Sequence, residues 1–233
     1  MKRHTHFYID GQWVDPAPGA RSFELIDPST EQAFASVPLG GAEDVDRAVK
    51  AARRAFGMFS MTSRSERLAL LQRIVDVFSK RESEFMAVAS QELGTPLSAV
   101  SHFRNSVEQF REMIKVLQDY QFEHRLGGNV VRREPIGVCG LIAPWNWPIQ
   151  TSVIKAIYGI AAGCTMVLKP SDAAPASGVA LAEAEVVSMT AELMGYDPSE
   201  SGGVFTFGGK GTSRAVPPRW PRPAVAAATS SRS

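Results

Sequence analysis

Cysteine is scarce in this sequence: Cys139 and Cys164 are the only two among 233 residues. Two thiols cannot build a disulfide framework, and the scarcity suits a reducing, cytoplasmic setting. Long hydrophobic runs are also lacking. No stretch reaches the ~18 consecutive apolar residues that a membrane span needs, and the N-terminus has no apolar signal-peptide core. Neither sign of charge dominates, with 25 basic residues against 24 acidic ones. What remains is an ordinary globular composition, 44% hydrophobic and 21% charged. A chain of this length buries roughly 70% of the surface its unfolded form exposes, so no disulfide or metal staple is required.

The even charge balance conceals two kinds of sequence. Residues 210–233 hold Lys210, Arg214, Arg219, Arg222 and Arg232 and no acid, which leaves 20 basic against 24 acidic residues in 1–209. The chain therefore divides into a globular portion, 1–209, and a basic tail, 210–233. From Thr212 the tail is Ala, Pro, Ser, Thr and Arg with little periodicity, a composition that predicts disorder because it cannot offset the entropy of ordering. It also has the residue usage of an out-of-frame translation of GC-rich coding sequence, so the expectation is a truncated or frameshifted gene. Four arginines spread among prolines make no nucleic-acid surface, and no such partner is expected.

Period and punctuation divide the globular portion. Phe7-Tyr8-Ile9 and Gln12-Trp13-Val14 flank Asp10-Gly11, which predicts a hairpin. A strand over Phe23–Ile26 stops at Asp27-Pro28. Three amphipathic helices follow, on Val45, Ala48, Val49, Ala52 and Phe56, on Leu68, Leu71, Ile74, Val75 and Phe78, and on Phe85, Val88, Ala89 and Leu93. Thr95-Pro96 reads as the start of a long helix whose stripe runs Val100, Phe103, Val107, Phe110, Ile114 and Leu117. Beyond Gly127-Gly128 the pattern turns to α/β, with strands at 129–133, 136–142 and 165–168, a helix over 149–162, another over 176–194, and a strand at 203–207. Strand, helix and strand within about thirty residues is the size of a right-handed βαβ crossover.

Two segments carry chemistry. Ala143-Pro144-Trp145-Asn146-Trp147-Pro148 lies at the carboxyl end of a predicted strand, where ligands bind in open α/β sheets. Two readings fit Asn146: an amide donor to a developing oxyanion, or a proline-braced turn in which Asn bonds its own backbone. Lys169-Pro170-Ser171-Asp172 follows the next strand. A cation, a hydroxyl and a carboxylate suit ribose hydroxyls, and Ser171 or Asp172 also suits a helix N-cap. No metal site is expected, because His4 and His6 lack further ligands.

Together these segments resemble the NAD(P)-dependent aldehyde dehydrogenases. The resemblance spans roughly residues 7–180, through Ile9–Val14, Asp44–Val49, Arg64–Arg67, Gln91–Leu97 and Arg133–Val138, and culminates in residues 142–148 and 161–172. It implies an α/β, aldehyde dehydrogenase-like fold: a helical N-terminal region against an incomplete Rossmann-like parallel sheet. It implies oxidation of an aldehyde to a carboxylic acid with NAD, NADP also being compatible. It further implies Asn146 as oxyanion donor, Ile142, Ala143, Pro144 and Trp145 as the cofactor-cleft wall, and Lys169, Ser171 and Asp172 as contacts to the adenosine ribose. The family usually has Glu at the Asp172 position; an acid there repels a 2′-phosphate, which leans toward NAD. The family is usually homo-oligomeric, through a segment without a counterpart here. Its general-base segment, Glu-Leu-Gly-Gly, and its nucleophile segment, Gly-Gln-x-Cys, are likewise absent from these residues. Cys139 and Cys164 lie in apolar strands, where a buried thiol is unreactive, so the isolated chain is expected to be inactive.

Overall fold

The computed structural model describes residues 2–3, 5–99, 102–183 and 204–205. In order they form β1 (Lys2–Arg3), β2 (Phe7–Ile9), β3 (Gln12–Val14), β4 (Arg21–Asp27), β5 (Gln32–Leu39), α1 (Ala42–Phe59), α2 (Arg64–Lys80), α3 (Glu82–Leu93), a 3₁₀ turn (Leu97–Ala99), α4 (His102–Asp119), β6 (Glu123–Leu126), β7 (Asn129–Arg132), β8 (Val138–Ile142), α5 (Pro148–Ala162), β9 (Thr165–Lys169), α6 (Ala176–Glu183) and β10 (Val204–Phe205). The basic tail and the expected helix beyond Glu183 lie outside the described residues.

The central sheet has the order β3-β2-β10-β9-β8. Its β10-β9-β8 portion is parallel, and the N-terminal hairpin joins it antiparallel through β2. That hairpin forms because Asp10 and Gly11 both take positive φ, 57° and 75°, as a two-residue type I′ turn requires. Its turn is pinned to α1 by the Arg54–Asp10 ion pair at 2.5 Å.

The β8-α5-β9 unit is the expected crossover. Pro148 opens α5 at a position whose missing N–H costs nothing, and Gly163 closes it at φ 80°. β8 and β9 then pair from Val138↔Thr165 to Ile142↔Lys169. Strand alternation sends Leu168 and Met166 toward α5, against Ile149, Val153, Ile157 and Ile160. Val167 packs on the other face with Ala48, Ala51 and Ala52 of α1. The Thr165 hydroxyl donates to the Ala52 carbonyl at 2.8 Å, fixing α1 on that face.

The helical layer closes the core on the α5 side. The Ser63 hydroxyl accepts from the Glu66 N–H while the Glu66 carboxylate accepts from the Ser63 N–H, a capping box that starts α2. Arg67, one residue on, donates to the Ala161 carbonyl at the end of α5 at 2.8 Å. The α4 stripe behaves as a core helix: Val107, Phe110 and Leu117 are buried.

Several expectations are corrected. Thr95-Pro96 opens only a 3₁₀ turn, with the Ala99 N–H on the Pro96 carbonyl, and α4 begins at His102. Strands β1, β5 and β6 form where the sequence marks none; β6 pairs with β7 across Gly127-Gly128. The apolar run at 136–142 is not a buried strand. β8 is half-exposed, because among the described residues no strand pairs with its outer edge.

Candidate functional site

The two chemistry-bearing segments meet at the carboxyl ends of adjacent parallel strands. Ile142 is the register partner of Lys169, and the Ala143 N–H donates to the Lys169 carbonyl at 3.0 Å. Ala143 is buried there. Ile142 and Trp145, 65% and 57% exposed, stand open at the sheet edge together with Pro144. The loop then turns into α5, with the Thr151 N–H and hydroxyl both on the Trp147 carbonyl at 2.9 Å.

Asn146 lies at the tip of this loop, exposed. Its amide makes no hydrogen bond to a described residue, so it is not spent on its own backbone.

Lys169 is 7% exposed, and its ammonium reaches the Asp172 carboxylate at 2.6 Å. Ser171 holds the turn between them and the next helix: its hydroxyl accepts from the Ala173 N–H and its carbonyl from the Ala174 N–H, both at 3.2 Å. Neither Ser171 nor Asp172 caps α6. The cap is Glu92, whose carboxylate accepts from the N–H groups of Ala176 and Ser177 and from the Ser177 hydroxyl. Desolvation pushes the Glu92 pKa from 4.5 up to about 7, against these three hydrogen bonds, which pull it down. Glu92 and Asp172 line one cleft of about 190 Å³, floored by Phe23, Leu25, Ile26 and Phe34. None of residues 142–146 lines that cleft.

Sequence reasoning missed Glu92 although a signal was present. Phe85, Ala89 and Glu92 follow helical spacing and are the buried residues of α3. The expected stripe ended on Leu93, which is only half-buried. A carboxylate at the C-terminal end of a helix also runs against the helix dipole, which marks it as held by something else.

Cys164 is buried and Cys139 half-buried, both free. Burial first, then the neighbouring Cys164, pushes the Cys139 thiol up. Among the described residues no three His, Cys, Asp or Glu side chains group as metal ligands, and no helix is long and apolar enough to cross a membrane.

The sequence model of the aldehyde dehydrogenase family matches residues 13–187. A 3-succinoylsemialdehyde-pyridine dehydrogenase from a Pseudomonas species is 45% identical over 185 residues, 78% of this chain and 39% of that protein. The crystal structure of an aldehyde dehydrogenase from Bartonella henselae superposes with a TM-score of 0.80 at 34% identity, covering 90% of this chain and 43% of that one. A Mycobacterium tuberculosis aldehyde dehydrogenase complexed with NAD+ also gives 0.80, at 30% identity, over 92% of this chain and 44% of that one. The chain thus spans about two-fifths of the length of the relatives it matches. The matched residues take in the β8-α5-β9 crossover and both loops at its carboxyl edge, and the chain belongs to the aldehyde dehydrogenase family.

Proposed function

We propose that this chain is the dinucleotide-binding portion of an NAD-dependent aldehyde dehydrogenase, and that alone it binds cofactor without oxidising aldehyde. The observation that carries this reading is the Ala143–Lys169 backbone bond. It ties the two segments into one edge at the carboxyl ends of parallel strands, the ligand edge of open α/β sheets.

The donor set there fits an adenosine ribose. Lys169 donates from a buried position, Asp172 is free to accept on the oxygen that Lys169 does not engage, and the Ser171 hydroxyl can do either. Ile142, Ala143, Pro144 and Trp145 offer an apolar wall beside them. Asp172 opposes a 2′-phosphate and so favours NAD over NADP, although its pairing with Lys169 moderates the repulsion. A bound NAD would supply a hydride acceptor in the intact enzyme, held here by Lys169, Ser171 and Asp172. Asn146 would offer an amide N–H to the oxygen on which charge develops; one such donor is worth about 3 kcal/mol.

The reading of inactivity rests on what the 233 residues contain. Neither Glu-Leu-Gly-Gly nor Gly-Gln-x-Cys occurs, and the raised Cys139 thiol is a poor nucleophile at neutral pH. Two free thiols also agree with a reducing, cytoplasmic location.

The test is a titration of the purified chain with NAD and NADP, read by the fluorescence of Trp145 and Trp147, followed by NADH absorbance in the presence of aldehyde. The expected result is quenching that is stronger with NAD, and no steady NADH production. Absence of quenching by either nucleotide refutes the binding reading; steady turnover refutes the inactivity.

A further inference from the structure

We infer that Glu92 is a positioning residue for the ribose-facing loop, holding residues 170–175 in place through the first turn of α6. The inference rests on the dinucleotide reading above and deepens it.

Helix α6 has no cap of its own. The residue before it is Pro175, which has neither a side-chain acceptor nor an N–H, so the first N–H groups of α6 need an acceptor from elsewhere. Glu92 supplies it from 84 residues earlier in the chain: one carboxylate oxygen takes the Ala176 N–H, and the other takes the Ser177 N–H at 2.9 Å and the Ser177 hydroxyl at 2.6 Å. Glu92 is 5% exposed and Ser177 and Ala174 are fully buried. Burial keeps solvent from replacing these bonds, and losing the carboxylate leaves buried donors unsatisfied.

The loop between β9 and α6 is short and is fixed at both ends. At one end Lys169 holds Asp172. At the other, Glu92 holds Ala176 and Ser177. Only Ala173, Ala174 and Pro175 separate the two anchors, and Pro175 has a fixed φ. The Ser171 turn and the Gly178 and Val179 N–H groups on the Pro175 carbonyl, at 3.0 and 3.1 Å, leave the intervening backbone little slack. Displacement at Ala176 is therefore transmitted to Asp172. Both Glu92 oxygens are engaged by α6, which makes the loop the route by which Glu92 acts on Asp172.

The experiment is a double-mutant cycle on NAD affinity with Glu92→Ala, Asp172→Ala and the double variant, together with amide hydrogen exchange of the unliganded proteins. Glu92→Ala is expected to weaken NAD binding about tenfold, and the double variant to bind no more weakly than Asp172→Ala alone, because both changes remove one loop geometry. Exchange at residues 173–177 is expected to rise at least tenfold in Glu92→Ala, with β8 and β9 unchanged. Glu92→Gln, which keeps the volume and one acceptor oxygen, is expected to restore most of both properties and serves if the alanine variant does not fold. Additive losses in the cycle, or unchanged exchange at 173–177, overturn the inference. If the wild-type chain binds no NAD, the dinucleotide reading fails, and the exchange measurement alone decides whether Glu92 holds the loop.

Discussion

The Glu92 carboxyl should leave a signature in stability against pH. Burial is the leading cause of its rise from 4.5 to about 7, and it outweighs three hydrogen bonds that act in the opposite direction. The unfolded chain returns the group to its ordinary value. Between those two values the folded state therefore holds a proton that the unfolded state has released. The stability associated with this group is greatest in acid and is lost as pH rises through the window. A tenfold change in proton affinity is worth about 1.4 kcal/mol, so the full window amounts to about 3 kcal/mol, most of which falls between pH 5 and pH 8. Glu92→Gln removes the titration and substitutes a constant offset. Urea denaturation of both proteins at a series of pH values isolates the group, since all other titrations are shared. The wild-type stability, minus that of Glu92→Gln, is expected to fall by about 2 to 3 kcal/mol from pH 5 to pH 8. Parallel curves would mean that Glu92 does not titrate in this range. A difference that rises with pH would mean that the three donors outweigh burial, and would refute the reasoning.

Arg67→Ala is expected to cost about 3 kcal/mol in urea denaturation, combining a buried charged hydrogen bond to the Ala161 carbonyl at 2.8 Å with the guanidinium stacked 5.0 Å over Phe122. Arg67→Lys should recover little of it, since an ammonium cannot serve the carbonyl and the ring together; a loss below about 1 kcal/mol in the alanine variant would show that the contact is weak. Iodoacetamide at neutral pH is expected to modify Cys139 and Cys164 slowly in the native protein and quickly in denaturant, followed by mass spectrometry. Rapid native modification of Cys139 would contradict its raised pKa.

The parts of the fold that were legible in the sequence are those whose chemistry is local. Asp10-Gly11 and Gly163 each fix a backbone geometry without reference to the rest of the chain, and each marks a boundary the structure keeps. The α4 stripe was legible for a related reason, because a one-sided apolar helix must bury that side. β5 and β6 lacked such marks. β6 is Glu-His-Arg-Leu and exposed throughout, so it has no alternating pattern. β5 contains Pro38, which normally argues against a strand with neighbours on both sides. It is tolerated because β1 pairs only with Ala35 and Ser36, so among the described residues Pro38 faces β4 alone. A two-residue neighbouring strand is not visible from the β5 sequence.

The candidate site divides along the same line. Lys169 and Asp172 are three residues apart, and their pairing needed only a turn after a strand. The contact between Ala143 and Lys169 needed more, the parallel register of β8 and β9, and that followed once the crossover was recognised. Glu92 needed a contact between two helices 84 residues apart, which no local pattern contains. Its trace in the sequence is negative. A carboxylate sits on the buried stripe of α3, at the helix end that disfavours it, two residues before a glycine at φ 63°. Local rules place no buried acid there, so only a remote donor set can account for it, and α6 lacks the acceptor that such a set requires. Two local violations, an uncapped helix and a misplaced acid, thus resolve each other through one tertiary contact. That contact reaches α6 at Ala176, four residues beyond the Asp172 carboxylate on which the cofactor reading depends.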